Sequence, residues 1–499
     1  MRSLWLDRPL PVHPPLAPGR SFDVVVVGAG LTGLTTALLL ARGGVAVAVV
    51  EARHVGAGTT GNSTAKFSLL QGTKLSRIAR RHTAETVRSY VTANLEGQLW
   101  LLRYCEDHGV PFERRAALTY SVTDKGREDV HSEFEAASAA GLPVELLDDA
   151  GLPFPTSGAV RLADQAQLDP MDVLLTMAVD VVAHGGEVFA GSRVRRVSGH
   201  GPYHLHLDDG EVTADRVVLA TGVPILDRGG FFARLKPLRS YGIALDVPGE
   251  IPQEMALSAD WPRRSLRTAP VVGGVRLLVG GAGHRTGRAE SPAASVAELT
   301  TWAGQHFPGA SVTHSWSAQD YRCDDDLPAI GPLLPVPGGL LAATGYDKWG
   351  MAMAVGASLT MSAGLLGGDI PEWAYPLRPF RPGRVTGVDR LVRNNATVAA
   401  RLVADWAKPR VHSSDVVPPE GAGRVELDAQ RPVAVSTVDG RTTRLSGVCT
   451  HLGGIVTWND AEHSWDCPLH GSRFDADGEV LEGPATCALH RLTPEDDAG

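Results

Sequence analysis

Cysteine is scarce in this chain: five in 499 residues (Cys105, Cys323, Cys449, Cys467 and Cys487), odd in number and widely spread. That excludes the dense disulfide framework of a small secreted domain and predicts a reducing, cytoplasmic compartment. Basic charge is not in excess either. A formal net charge of -9 offers no field to gather phosphate backbones or anionic lipid, so nucleic acid is not an expected partner. Long apolar runs are missing as well. Crossing a bilayer takes about 20 apolar residues, and the nearest approach, residues 351–366, is diluted by Gly, Ser and Thr. No transmembrane segment is expected. The N-terminus carries Arg2, but Asp7 and repeated prolines in LWLDRPLPVHPPLAP break the apolar core of a signal peptide. Residues 1–20 are therefore read as an arm. Internal repeats, low-complexity blocks and a nicotinamide-nucleotide signature beyond the motif described next are also absent.

What is present is an ordinary globular composition, 43% hydrophobic and 21% charged, with length for roughly two to four domains. Residues 22–27 form a β-branched run that ends in glycine, as a buried parallel strand does. Residues 31–42 then read as a helix and 45–50 as a second strand ending at Glu51, which makes one βαβ unit. Apolar spacing predicts a long surface helix over 77–108. Strand-like runs recur at 217–219 and 277–279, and a helix over 388–406 is expected to close this large domain, residues 21–410. Residues 411–424, VHSSDVVPPEGAGR, are the candidate linker. Short alternating runs from 425 to 499 predict a small all-β domain.

Gly28, Gly30 and Gly33 lie between that first strand and helix, where they permit a tight turn, close pyrophosphate approach and close helix packing. The helix N-terminus supplies amides to phosphate, and Glu51 stands where a ribose hydroxyl would be. Gly56, Gly58 and Gly61 repeat the spacing without opening a helix, and read as a loop. The unit alone leaves NAD and FAD open. Distant segments decide: GAGTTGNSTAK up to Lys66, VVLATG up to Gly222, DDDLPAIGP (324–332) and ATGYDKWGMAMAVGA (343–357) together resemble the D-amino-acid oxidase superfamily over most of residues 21–375. The resemblance implies an α/β, Rossmann-type FAD domain interleaved with a β-rich substrate domain. It also implies that Val194 contacts adenine, and that Thr60, Asn62, Ser63, Lys66, Gly345, Trp349, Gly350 and Met351 lie toward the flavin ring. No Cys or His is placed for a covalent link, so the FAD is expected to be non-covalent.

Cys449-Thr450-His451 and Cys467-Pro468-Leu469-His470 each offer one thiolate and one imidazole. A Rieske [2Fe–2S] centre needs that combination, two cysteines on one iron and two histidines on the other. Structural zinc is the competing reading, but zinc knuckles usually pair like with like. The surrounding CTHLGG, CPLHGSRF and DGEVLEGPA resemble the cluster-binding half of Rieske proteins, which implies a small β-sandwich domain. Respiratory-type members carry two further cysteines that form a disulfide; here those positions are Gly454 and Leu469. Ser472 matches a serine that hydrogen-bonds the cluster in high-potential members. Phe474 replaces a tyrosine, so the potential should fall below the high end of the roughly -150 to +300 mV range.

An FAD-dependent oxidoreductase is therefore expected: it oxidises an amine or amino acid C–N bond, then sends electrons through the cluster to an external acceptor. The alternative is a flavin and Rieske reductase component that supplies a separate oxygenase. Arg239, Tyr241, Tyr346 and Lys348 are candidates to meet a substrate, with structural roles the competing reading. His284 and His314 are read as hydrogen-bonded structural residues, and Cys105, Cys323 and Cys487 as structural thiols. No catalytic residue is assigned.

Overall fold

The computed structural model describes residues 1–334, 338–380, 388–407, 416–428 and 431–492. Part of the expected linker, 411–415, and the tail beyond 492 lie outside them. Three β-branched or small apolar strands build the nucleotide half. Ser21–Val27 pairs in parallel with Val47–Val50 on one side and Gly210–Leu219 on the other. The eight-stranded sheet continues to Glu187–Phe189 at one edge, and to Leu340–Thr344 and Ala329–Pro332 at the other. Because the chain order reverses about the first strand, a crevice opens at its carboxyl end.

A nine-stranded sheet forms the second layer, with the long strands Leu235–Asp246, Gly274–Arg285 and Ser311–Cys323 adjacent to one another. Two small sheets follow, one of Gly423–Asp428, Arg431–Val438 and Arg441–Ser446, the other of four short strands from Thr457 to Glu482. Their shared core is built on Trp465, Phe474, Leu445 and Val480. The α/β plus all-β architecture expected from the sequence is what the chain adopts.

Three local expectations change. The single helix expected over 77–108 is two, Lys74–Ala79 and Ala84–His108, because extended Thr83 caps the second by accepting from the Thr86 N–H. The longer one is also no surface helix. Its Gly97 and Ala93 meet the backbone of Ala352 and Gly356 so closely that side chains at either glycine would collide. The apolar run 351–366 is thereby a core helix, Gly350–Leu365, and no helix among the described residues is long and apolar enough to cross a membrane. Finally, the helix Val388–Ala407 does more than close the large domain: Val398 and Leu402 pack on the core of the small one.

The N-terminal arm is stapled down. Trp5 is buried and its indole N–H donates to the Ser63 carbonyl at 2.7 Å, and Leu16 N–H reaches Ser192 Oγ at 2.8 Å.

Candidate functional site

The crevice at the end of Ser21–Val27 is a single long cleft. Gly28 has φ +108°, and a Cβ there would lie 2.6 Å from the Ala220 carbonyl oxygen; a Cβ on Gly33 would lie 1.9 Å from that of Gly28. No other residue fits either position. The helix Leu31–Arg42 begins at extended Gly30 with no side-chain cap, which leaves its first amides aimed at the cleft for an anion. The Leu31 N–H there meets Thr60 Oγ1 at 3.2 Å. Glu51 lines the cleft while accepting from the N–H groups of Ala29 and Arg53, both at 2.9 Å.

Gly28, Gly30, Glu51, Thr60, Ser63, Val194, Gly222, Gly350 and Met351 all line this cleft. Five other expected residues do not, and each has a physical reason. Gly33 lies behind the glycine turn, where it lets the helix approach. Asn62 turns back to donate to the Gly58 carbonyl at 2.8 Å. Lys66 is buried toward the large sheet, its ammonium on the Ala256 carbonyl. Gly345 packs on Cys323 Sγ, and Trp349 precedes the first turn of the helix Gly350–Leu365.

Several lining residues were not legible as site residues: Thr59, Gln319, Asp320, Tyr321 and residues 481–483, 485 and 486 of the small domain. At the end lined by Met351, burial pushes the Asp320 carboxyl up to about 6. Lys348 Nζ donates to Ser240 Oγ, and Tyr346 OH lies 3.0 Å from Thr32 Oγ1. Arg239 and Tyr241 point elsewhere. Arg239 binds Glu462 of the small domain and Tyr241 OH meets His284 Nε2 at 3.0 Å. His314 pairs with Asp7. Cys105 and Cys323 are buried, and Cys487 is exposed.

The second site is made by two turns of the same design. Cys449 N–H donates to Gly454 O and Gly453 N–H returns to Cys449 O, at 2.8 and 3.1 Å; Cys467 with Ser472 and Gly471 repeats both bonds at the same distances. Matching backbones present Cys449 and Cys467 in equivalent positions, both buried, and a Cβ on Gly454 would lie 3.0 Å from Cys467 Sγ. His451 and His470 stand edge to face, ring centroids 5.1 Å apart. Among the described residues no three His, Cys, Asp or Glu side chains converge on one ion. A cysteine pair beside a histidine pair is instead the division that two irons require.

The donor chemistry fits as well. His451 Nε2 lies 2.9 Å from Asp227 Oδ1, which leaves Nδ1 for a metal. His470 Nδ1 is buried without a hydrogen-bond partner. Gly454 and Leu469 face each other, and Leu469 fills the space a Cβ on Gly454 would enter.

Phe232 of the large domain sits edge-on to both imidazoles, at 5.3 and 5.2 Å. Below it, Arg239 donates to both oxygens of Glu462, and Arg473 joins Asp466 and Glu462. Against the upward push of burial, Arg239 and Arg473 hold the Glu462 carboxyl down to about 2.

A dinucleotide cleft on a doubly wound sheet, joined to paired Cys and His turns, defines a flavin-dependent oxidoreductase with an iron–sulfur domain. The chain belongs to the FAD dependent oxidoreductase family, whose model matches residues 23–363, and it carries a Rieske [2Fe-2S] domain matched over 407–493. Its cofactors are accordingly FAD and a [2Fe–2S] cluster. Over 492 residues it is 31% identical to YhfW of Bacillus subtilis (strain 168), which bears the name of a Rieske 2Fe-2S iron-sulfur protein; the match covers 97% of this chain and 96% of that one. Its fold is similar to that of glycine oxidase from Geobacillus kaustophilus, with TM-score 0.62 and 17% identity, over 72% of this chain and 99% of the other. L-proline dehydrogenase from P. horikoshii gives 0.60 and 17%, over 74% and 99%.

Proposed function

We propose that the chain oxidises the C–N bond of an amine or amino acid and delivers the electrons, through the cluster, to an external acceptor. When bound, FAD supplies hydride acceptance and the cluster supplies single-electron transfer. One observation carries this reading: residues 481–483, 485 and 486 of the small domain supply part of the wall of the cleft in the large one. A domain that serves only as an appendage would not help to shape the other cofactor's site.

In this reading Gly28 and Gly30, with the open helix end, seat the pyrophosphate, while Gly33 keeps the helix close. Glu51 accepts from the ribose and Val194 borders the adenine. Thr60, Ser63, Gly222, Gly350 and Met351 border the rest of the cofactor. Cys449, His451, Cys467 and His470 hold the cluster. Lys348 and Tyr346 face the donor's side, where an ammonium beside Ser240 can meet a carboxylate. The donor class rests on the resemblance to the D-amino-acid oxidase superfamily, and agrees with solved neighbours that are a glycine oxidase and an L-proline dehydrogenase.

Anaerobic titration with a panel of amines and amino acids tests the proposal, with flavin bleaching and the cluster's paramagnetic signal read together. A donor that bleaches the flavin and then raises the reduced-cluster signal supports it. Bleaching by NAD(P)H, with none by any amine, replaces it with the reductase reading.

A further inference from the structure

One side chain joins the wall of the cleft to the second Cys-His turn. Gln319, on the strand Ser311–Cys323, is 1% exposed and borders the cleft, where its carbonyl accepts from Thr59 Oγ1 at 2.6 Å. Its side chain crosses to the other domain. The amide Nε2 donates to the Gly471 carbonyl at 2.8 Å and to Tyr321 OH at 2.8 Å, while Oε1 accepts from Thr286 Oγ1 at 2.6 Å. With both N–H groups and the oxygen engaged, the orientation of the amide is fixed by its neighbours. Gly471 directly follows His470.

Close packing holds this contact. A Cβ on Gly471 would lie 2.4 Å from Pro237 Cβ, and one on Gly287 would lie 2.7 Å from Pro468 N. The second ligand turn is thus pressed onto the large sheet where Gln319 emerges. A second connection runs from Tyr321 OH to the Gly483 carbonyl at 3.3 Å and continues through Ala485 N–H to Ser472 Oγ, and a third runs from the cleft residue Ile225 along the chain to Asp227, which meets His451 Nε2 at 2.9 Å.

We infer that Gln319 is the coupling residue for internal electron transfer: its hydrogen bond to Gly471 joins the flavin cleft to the His470 turn. This rests on the flavin-to-cluster direction proposed above. Electron tunnelling weakens steeply across a gap that no bond spans, and the Gln319 amide supplies a hydrogen-bonded route across the boundary. In each passage the reduced flavin gives up one electron and the iron pair goes from two ferric ions to one ferric and one ferrous. The second electron follows once an external one-electron acceptor has reoxidised the cluster.

The test uses anaerobic holoenzyme in which a light flash, with EDTA as the sacrificial electron donor, reduces the flavin and the cluster's absorbance is followed in time, with no amine substrate required. Gln319→Leu keeps the bulk and loses the amide; Gln319→Glu keeps the bond from Thr286 and loses the donor to Gly471. Both variants should slow transfer by about tenfold, with the midpoint potential and paramagnetic spectrum of the cluster unchanged, because the amide touches no cluster ligand. Hydrogen exchange in the 467–471 turn reports the loosened contact independently. Transfer at the wild-type rate in both variants, or slowing explained by an altered potential, overturns the role of Gln319 and leaves the direction of flow standing. A wild-type cluster that stays oxidised after the flash removes the direction itself, and the inference with it.

Discussion

Arg239 and Glu462 meet across the domain boundary in a two-pronged bond, Nε to one carboxylate oxygen at 2.7 Å and Nη2 to the other at 2.6 Å. The guanidinium is buried and the carboxylate nearly so. Removing one partner of such a pair strands the other charge. Arg239→Met should therefore cost about 3–5 kcal/mol, measured as a lowered denaturant midpoint. Arg239→Lys should recover little, because one ammonium cannot reproduce the fork.

Gly33→Ala places a methyl against the carbonyl of Gly28. The helix must retreat from the strand and carry its open end away from the pyrophosphate. Purified variant should lack the flavin absorbance yet keep two irons per chain, since the ligand turns are built from a separate segment.

Cys467→Ser and His470→Ala each remove one of four proposed ligands from a site whose donors come in twos. Either should abolish cluster-bound iron and sulfide while FAD stays at stoichiometry, as read by iron assay and visible spectrum. Retention of both irons by His470→Ala would count against this ligand set.

Ser472 accepts the Cys467 N–H at its carbonyl, at 2.8 Å, and the Ala485 N–H at Oγ, at 3.0 Å. Hydrogen bonds near the sulfurs stabilise the reduced, more negative cluster. Ser472→Ala should lower the midpoint potential in a redox titration, and the wild-type value itself should lie below the high end because Phe474 brings no hydroxyl.

Asp320 holds its proton up to about 6, against an ordinary 3.8, because burial penalises the carboxylate more than the N–H groups of Tyr321 and Lys348 favour it. Between those values the folded chain binds a proton that the unfolded chain has released. Stability conferred by this group therefore falls as pH rises through that window and is level above it. The unfolding free energy of wild type minus that of Asp320→Asn should show this fall; a flat difference would contradict it.

The βαβ unit and the two Cys-His turns could be read from the sequence because each is local: a strand, a glycine turn and a helix in order, or four proposed ligands within 22 residues. What escaped was long-range. Lys66 lies close in sequence to Thr60 and Ser63, yet its aliphatic stem is drawn into the sheet, where Ala256 offers a carbonyl. Nothing in SAQDYRC marks Gln319 as the point where two domains touch, since strand alternation says which face a residue occupies but not what lies beyond it. The helix break at Thr83 was carried by its capping bond to Thr86, a signal that the apolar spacing on either side outweighed.

Phe232 and Asp227 together screen the imidazole side of the cluster, leaving 6% of the His451 side chain and 7% of His470 accessible. A redox partner arriving from solvent meets Leu452, 44% exposed beside His451, before it meets a ring edge. The small domain is mounted with both imidazoles turned toward the large one, so in the proposed electron flow the face that meets the flavin domain and the face offered to an acceptor would be different doors.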